Sequence, residues 1–292
     1  MQSLADVETA DGRTLTVREA GDPNGIPVLV HWGTPSSSML YEPHIRDAER
    51  RGIRLFSYDR PGYGHSTRQH GRTIADCAAD VAAVCDALGV HRLSVWGVSG
   101  GGPHALATAA LLPDRVAAAA ALASVAPVDA EGLDFLEGMG EQNIVSFTAA
   151  QAGEESHRAR HDIEAAEMLG ATAEELVEVM STLLGPADRN VLTTDFAQFM
   201  VDDFQAGAIA GTNGWFDDEE AFVRPWGFEP ASIRVPVLIC QGEDDRFVPY
   251  GHGVWLAEHV PGCEAWLTPE DGHLTLIEHR VPDVHAWLLE RF

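Results

Sequence analysis

The chain has 292 residues, 45% of them hydrophobic, and a formal net charge of −26, which is enough apolar material for one large core and a field that repels nucleic acid and anionic membrane surfaces. All 19 basic residues are arginine, so Schiff-base, P-loop and pyridoxal-phosphate lysine chemistry is excluded. Residues 1–21 are polar without a basic-then-apolar leader, and no stretch is apolar for the length of a bilayer. A cytoplasmic protein acting on a small molecule is expected, monomeric or homodimeric, with no nucleic-acid or membrane partner. Cys77, Cys85, Cys240 and Cys263 have no CxxC spacing and sit in apolar patterns, so they are expected as buried free thiols.

Along the chain, residues 6–20 alternate around Asp11-Gly12 and predict an edge hairpin. Ile26–His31 is a near-continuous apolar run, the pattern of a strand buried on both faces. It leads into Trp32-Gly33-Thr34-Pro35 and a serine cluster, Ser36–Ser38, expected to cap a helix over about 39–51. A second buried strand, Ile53–Tyr58, runs into the Pro- and Gly-rich loop from Asp59 to Ser66. Thr73-x-x-Asp76 caps a helix whose apolar residues recur at helical spacing as far as Gly89. Leu93–Val98 and Val116–Val125 supply two more strands, and the β-α-β-α alternation argues for a mostly parallel sheet covered on both faces.

From Pro127 to Pro230 the strand runs disappear and the chain becomes helical, acidic and aromatic, with 22 Asp or Glu against four Arg. This predicts a helical cap (127–230) inserted between two parts of the core (1–126 and 231–292). Thr172-x-x-Glu175 reads as a capping box, with Leu176, Val179, Met180, Leu183 and Leu184 as the apolar stripe behind it. A second stripe, Leu192, Phe196, Phe199, Met200 and Phe204, is expected to serve mostly as packing, with one or two side chains reaching a pocket. The sheet resumes at Val235–Cys240. A helix over about 251–259, a strand over 264–267 and a terminal helix over about 274–291 complete the chain.

The chemistry concentrates at Gly97-Val98-Ser99-Gly100-Gly101, which follows a strand and opens a helix. A serine there is forced into a sharp turn that holds its hydroxyl clear of the sheet end, so Ser99 is the candidate nucleophile. Serine needs a base and an orienting carboxylate. Two loops at the carboxyl ends of later strands supply them, in the order Ser, Asp, His: Asp244 or Asp245, then His273 behind Gly272. His252, His259, His279 and His285 lie inside helical patterns, where packing or solvation is the default. His104, one turn into the helix after Ser99, is expected to be structural or to line the pocket. The Gly100 N–H at the helix N-terminus and the Thr34 N–H after the His31 strand are candidate oxyanion donors, although Thr34-Pro35 reads equally as a tight turn.

Five landmarks together, Gly33-Thr34-Pro35, Asp59-Arg60-Pro61-Gly62-Tyr63-Gly64-x-Ser66, Gly97–Gly101, Gly242-x-x-Asp245-x-x-Val248-Pro249 and Gly272-His273, resemble the α/β-hydrolase superfamily. The likeness is to its cap-bearing branch of esterases, cofactor-free haloperoxidase-like enzymes and prolyl iminopeptidase-like enzymes. It implies an α/β fold with a mostly parallel eight-stranded sheet, a Ser99, Asp245 and His273 triad, and Thr34 and Gly100 as oxyanion donors. Asp245 is preferred over Asp244 because the family acid sits three residues after this glycine and three before the valine. Trp32 stands where relatives commonly carry the histidine of His-Gly, which leaves the role of His31 open. Serine in place of aspartate disfavours the dehalogenase and epoxide hydrolase branches, and the missing Gly-Gly-Pro-Gly loop counts against a peptidase.

The expected activity is a cofactor-independent, metal-free serine hydrolase that cleaves a carboxylic ester or related acyl bond of an apolar small molecule. Trp32, His104, Phe196, Phe199, Met200, Trp215 and Trp226 are the expected pocket residues. Alternatives are lyase, cyclase or perhydrolase chemistry on the same triad, a prolyl iminopeptidase-like amidase, and a non-catalytic ligand receptor on the same scaffold.

Overall fold

The computed structural model describes residues 2–292. Eight strands among them form one sheet: β1 (Ser3–Glu8), β2 (Thr14–Gly21), β3 (Ile26–His31), β4 (Ile53–Tyr58), β5 (Leu93–Val98), β6 (Val116–Leu122), β7 (Val237–Gly242) and β8 (Glu264–Thr268), in the order β1-β2-β4-β3-β5-β6-β7-β8. The hairpin β1–β2 and the pair β2–β4 are antiparallel, and the remaining pairs are parallel. Solvent reaches every β1 residue except Val7, as an edge position requires, whereas β5, β6 and β7 are buried along their whole length. That difference is the reason the central strands read as unbroken apolar runs while the edge alternates.

Side-chain alternation divides the core between the two faces of the sheet. Val28, Val30, Trp96, Ala118 and Ala120 pack with α1 (Glu42–Arg51) and with the C-terminal helix on one face. Leu29, Val95, Ala119, Ala121 and Ile239 pack with α2 (Cys77–Leu88) and α3 (Gly101–Leu111) on the other. Between β6 and β7 the chain forms α4 (Glu141–Ala152), α5 (Glu154–Gly170), α6 (Ala173–Val179), α7 (Pro186–Val191), α8 (Thr194–Gly207) and α9 (Asn213–Phe222); α10 (Tyr250–His259) follows β7. Among the described residues no helix is long and apolar enough to cross a membrane.

Several boundaries differ from the sequence expectation, each for a physical reason. The serine cluster does not cap α1, which begins at Glu42 behind Tyr41 with no side-chain cap. Ser37 instead bonds Asp203 of α8 through its N–H (2.9 Å) and its hydroxyl (2.5 Å), and the Ser38 N–H reaches Asp59. The helix opened by the Thr172–Glu175 capping box stops after Val179. The second aromatic stripe is broken at 192–193, where Thr193 caps α8 by accepting the Phe196 N–H. The terminal helix is three segments, His273–Thr275, a π-turn at Leu276–Arg280 and Val281–Leu289. Three of the cysteines are buried free thiols, but Cys263 is only half-buried.

The sheet and α3 meet with no room for a side chain. A Cβ on Gly101 would collide with the carbonyl oxygen of His31, a backbone group that cannot swing aside. Gly101→Ala is therefore expected to cost at least about 2 kcal/mol through overpacking, whereas Gly170→Ala, with open space around the new Cβ, is expected to be neutral or to gain about 0.5 kcal/mol. Urea unfolding of both variants checks the contrast.

Candidate active site

β5 ends at Val98 and α3 begins at Gly101, leaving two residues to reverse the chain. Ser99 makes the turn at φ +54°, a left-handed conformation uncommon for a residue with a side chain. The Ser99 N–H donates to Leu122 O (2.9 Å) and the Gly102 N–H to Ser99 O (2.9 Å), which hold the strained residue in place. A Cβ on Gly97 would strike the carbonyl of Gly101, and one on Gly100 would approach Phe222 Cζ to 2.8 Å. The small residues of the motif are thus needed for close approach as well as for the turn.

At the end of β7 the chain turns through Asp245, whose carboxylate is fully engaged. Oδ1 accepts the N–H groups of Phe247 (2.9 Å) and Val248 (2.8 Å), and Oδ2 accepts Gln241 Nε2 (3.0 Å) and His273 Nδ1 (2.9 Å). The neighbouring Asp244 points away and accepts the Ala187 N–H of α7 (2.8 Å), so the carboxylate that meets His273 is Asp245. The His273 ring stacks on Phe247 with centroids 4.4 Å apart. Burial alone would lower the His273 pKa, but the charge of Asp245 and its hydrogen bond, with the charge of Asp188, outweigh it and the net shift is upward.

Sequence reasoning missed Asp188. This buried residue of α7 accepts the N–H of His273 (3.0 Å), Leu274 (2.7 Å) and Thr275 (3.2 Å), capping the first turn of the terminal helix across 85 residues of sequence. Asp188-Arg189-Asn190 carries no local signature of that role, since the helix it caps lies on another segment.

Ser99, His273, Thr34 and Gly100 line one cavity of about 150 Å³. Ser99 Oγ makes no hydrogen bond among the described residues, and the N–H groups of Thr34 and Gly100 find no acceptor there. Of the other expected pocket residues, Trp32, Phe196, Phe199, Met200 and Trp215 also line the cavity. Phe204 joins them, so four members of the second stripe reach the cavity instead of one or two. His104 and Trp226 do not line it. His104 is buried in the first turn of α3, with Nδ1 2.8 Å from Gly100 O, and burial, then the positive charge of Arg60, lowers its pKa to about 3, which keeps it neutral. Trp226 is buried against Phe228 in the core on the α2–α3 side. His31 is buried as well, with Nε2 3.2 Å from Thr108 Oγ1 and its pKa pushed down first by burial.

The loop carrying Thr34 is held from below. Arg60 donates to Trp32 O (2.6 Å), to Gly33 O (2.6 Å) and to Thr34 Oγ1 (3.1 Å). Asp218 of α9 accepts from Arg60 (2.6 Å), from the Thr34 hydroxyl (2.8 Å) and from the Tyr63 hydroxyl (2.8 Å) through Oδ2, and pairs with Arg72 (2.7 Å) through Oδ1. Burial would raise the Asp218 pKa, but the two arginines hold it far below the carboxylate range.

A family model described as "alpha/beta hydrolase fold" matches residues 26–280. A "Non-heme chloroperoxidase" of Streptomyces lividans is 28% identical over 251 residues, covering 85% of this chain and 84% of its own. A "Bifunctional esterase/perhydrolase DCH" of Acinetobacter calcoaceticus is 27% identical over 84% of this chain and 83% of its own. The crystal structure of a bromoperoxidase from Bacillus anthracis superposes with a TM-score of 0.74 at 20% identity, covering 98% of this chain and 99% of that one.

Replacing Asp218 by Asn removes one charge and leaves Arg60 and Arg72 buried without a counter-ion, so a loss of about 3–5 kcal/mol is expected. Denaturant unfolding at neutral pH, compared with the wild-type chain, measures it.

Proposed function

The chain belongs to the α/β-hydrolase-fold family of enzymes, and on that footing we propose that it is a serine hydrolase that cleaves a carboxylic ester of a small apolar molecule through an acyl-enzyme on Ser99. The observation that carries this reading is a serine held at φ +54° in the same cavity as a histidine whose Nδ1 is bonded to a buried carboxylate. In the reaction, His273 Nε2 takes the Ser99 proton as Oγ adds to the substrate carbonyl carbon. The Thr34 and Gly100 N–H groups hold the resulting oxyanion. The tetrahedral species collapses, the C–O bond to the leaving group breaks, and His273 returns the proton to the departing alkoxide. Water, deprotonated by the same nitrogen, then releases the acid and restores Ser99. Asp245 fixes the ring with Nδ1 as the donor.

The helical segment 127–230 serves in this reading as a cap, whose aromatic and methionine side chains form most of the apolar wall opposite Ser99. A cavity of about 150 Å³ lined mostly by apolar side chains suits a short apolar acyl chain. A second reading, favoured by the likeness to the bifunctional esterase/perhydrolase, has hydrogen peroxide in place of water in the second half-reaction, giving a peracid. Peracid formation from a short-chain ester and peroxide distinguishes it.

Nitrophenyl acetate and butyrate are expected to be turned over faster than the laurate, and Ser99→Ala is expected to lower kcat at least about 10⁴-fold. An unchanged rate in the variant refutes the proposed nucleophile.

The pH dependence follows from His273. The base works only as neutral imidazole and its pKa is shifted above 6.5, so kcat/KM is expected to rise with pH through a limb above 6.5. Asp245→Asn removes the charge responsible, which moves that limb downward while kcat falls about 10⁴-fold. A pH–rate profile of both proteins provides the check.

A further inference from the structure

At the edge of the cavity, which Glu219 itself lines, α5 and α9 bring together a cluster that acyl transfer does not use. His157 and His161 are one turn apart on α5 and share a face, and Glu219 reaches them from α9. Glu219 Oε2 lies 2.7 Å from His157 Nε2 and 3.0 Å from His161 Nδ1, and the three ligand atoms all fall within 4.8 Å of one another. Both imidazoles are about 1% exposed.

We propose that His157, His161 and Glu219 bind one divalent cation of the zinc class and that this ion ties α5 to α9. Two imidazole nitrogens and one carboxylate oxygen are a donor set that zinc accepts, with water as the fourth ligand. A tetrahedral zinc with bonds near 2.05 Å spaces its donors by about 3.3 Å, so Glu219 Oε2, which lies 2.7 and 3.0 Å from the two imidazole nitrogens, needs to draw back by less than about 1 Å to admit it.

The supporting contacts fit the same role. His157 presents its other nitrogen, Nδ1, to Glu220 Oε1 at 2.6 Å, the carboxylate contact that orients a metal-bound imidazole and raises its basicity. Glu220 is itself held by Arg224, and the second oxygen of Glu219 accepts the Trp215 indole N–H at 2.9 Å. The ring of His157 is clamped against Phe216 with centroids 4.1 Å apart.

None of these ligands takes part in the chemistry assigned to Ser99, so the inference stands or falls apart from the esterase reading. The test is metal binding to the full-length chain after chelator treatment, using Zn²⁺ in calorimetry and Co²⁺ in absorption spectroscopy. One equivalent is expected to bind, with the visible bands of four-coordinate Co²⁺ and a raised melting temperature in Zn²⁺. His161→Gln is expected to abolish the Co²⁺ bands, and Glu220→Gln, which keeps all three ligands, to weaken binding about 10- to 100-fold. Circular dichroism reports whether His161→Gln is folded, and Glu220→Gln carries the test where it is not. No saturable binding at one equivalent, or wild-type affinity in the folded variants, overturns the proposal.

Discussion

The buried carboxylate of Asp218 is the contact on which the arrangement of the site depends. It is reached by two arginines, a tyrosine and Thr34, and it sits on the last helix of the segment between β6 and β7, whereas every one of those partners comes from the first third of the chain. One ion cluster therefore fixes α9 against the sheet and sets the position of the Thr34 loop, which lines the same cavity as Ser99. Two buried guanidinium groups and one carboxylate have little tolerance for displacement, because each would face its own desolvation cost alone. The Thr34 loop is thus pre-organised by charge as well as by its backbone.

The same device recurs on the opposite side of the cavity. Asp188 caps the turn that starts at His273, and Asp244 accepts the N–H of Ala187 one residue before it. Asp203 takes the N–H and hydroxyl of Ser37, and burial pushes its pKa up to about 7. Part of the acidity of 127–230 thus serves as short-range anchors: carboxylates that bond backbone N–H groups, serines and arginines of the segments that carry the sheet. The helical segment and the Thr34 and His273 loops are held together by polar contacts, while apolar side chains of α8 and α9 are left to line the cavity.

How much of this was legible in sequence follows from the range of the forces involved. The elbow around Ser99 could be read because its requirements are local: a strand, a turn that excludes bulk and a helix, all within about a dozen residues. The buried strands were equally visible, since burial on both faces leaves an unbroken apolar run. The capping box at Thr172–Glu175 formed as written because both partners lie within one turn, whereas Thr73–Asp76 closed only in part, with the Asp76 carboxylate accepting the Thr73 N–H ahead of a short 3₁₀ turn that precedes α2. Ser36–Ser38 misled for the converse reason: serine bonds whichever partner folding brings, and here that partner is Asp203, 166 residues away.

By itself, then, the sequence determined the α/β architecture, the eight strands in their approximate places and the order of the serine elbow, the aspartate loop and the His273 loop, because each rests on periodicity or on a motif a few residues long. Tertiary structure alone decided that Asp245 faces His273 while Asp244 turns to α7, that Asp188 and Asp218 brace the His273 and Thr34 loops, and that His157, His161 and Glu219 converge. Those facts join side chains separated by 28 to 184 residues. Their pairing depends on where packing places whole helices, and no local pattern of residues encodes that.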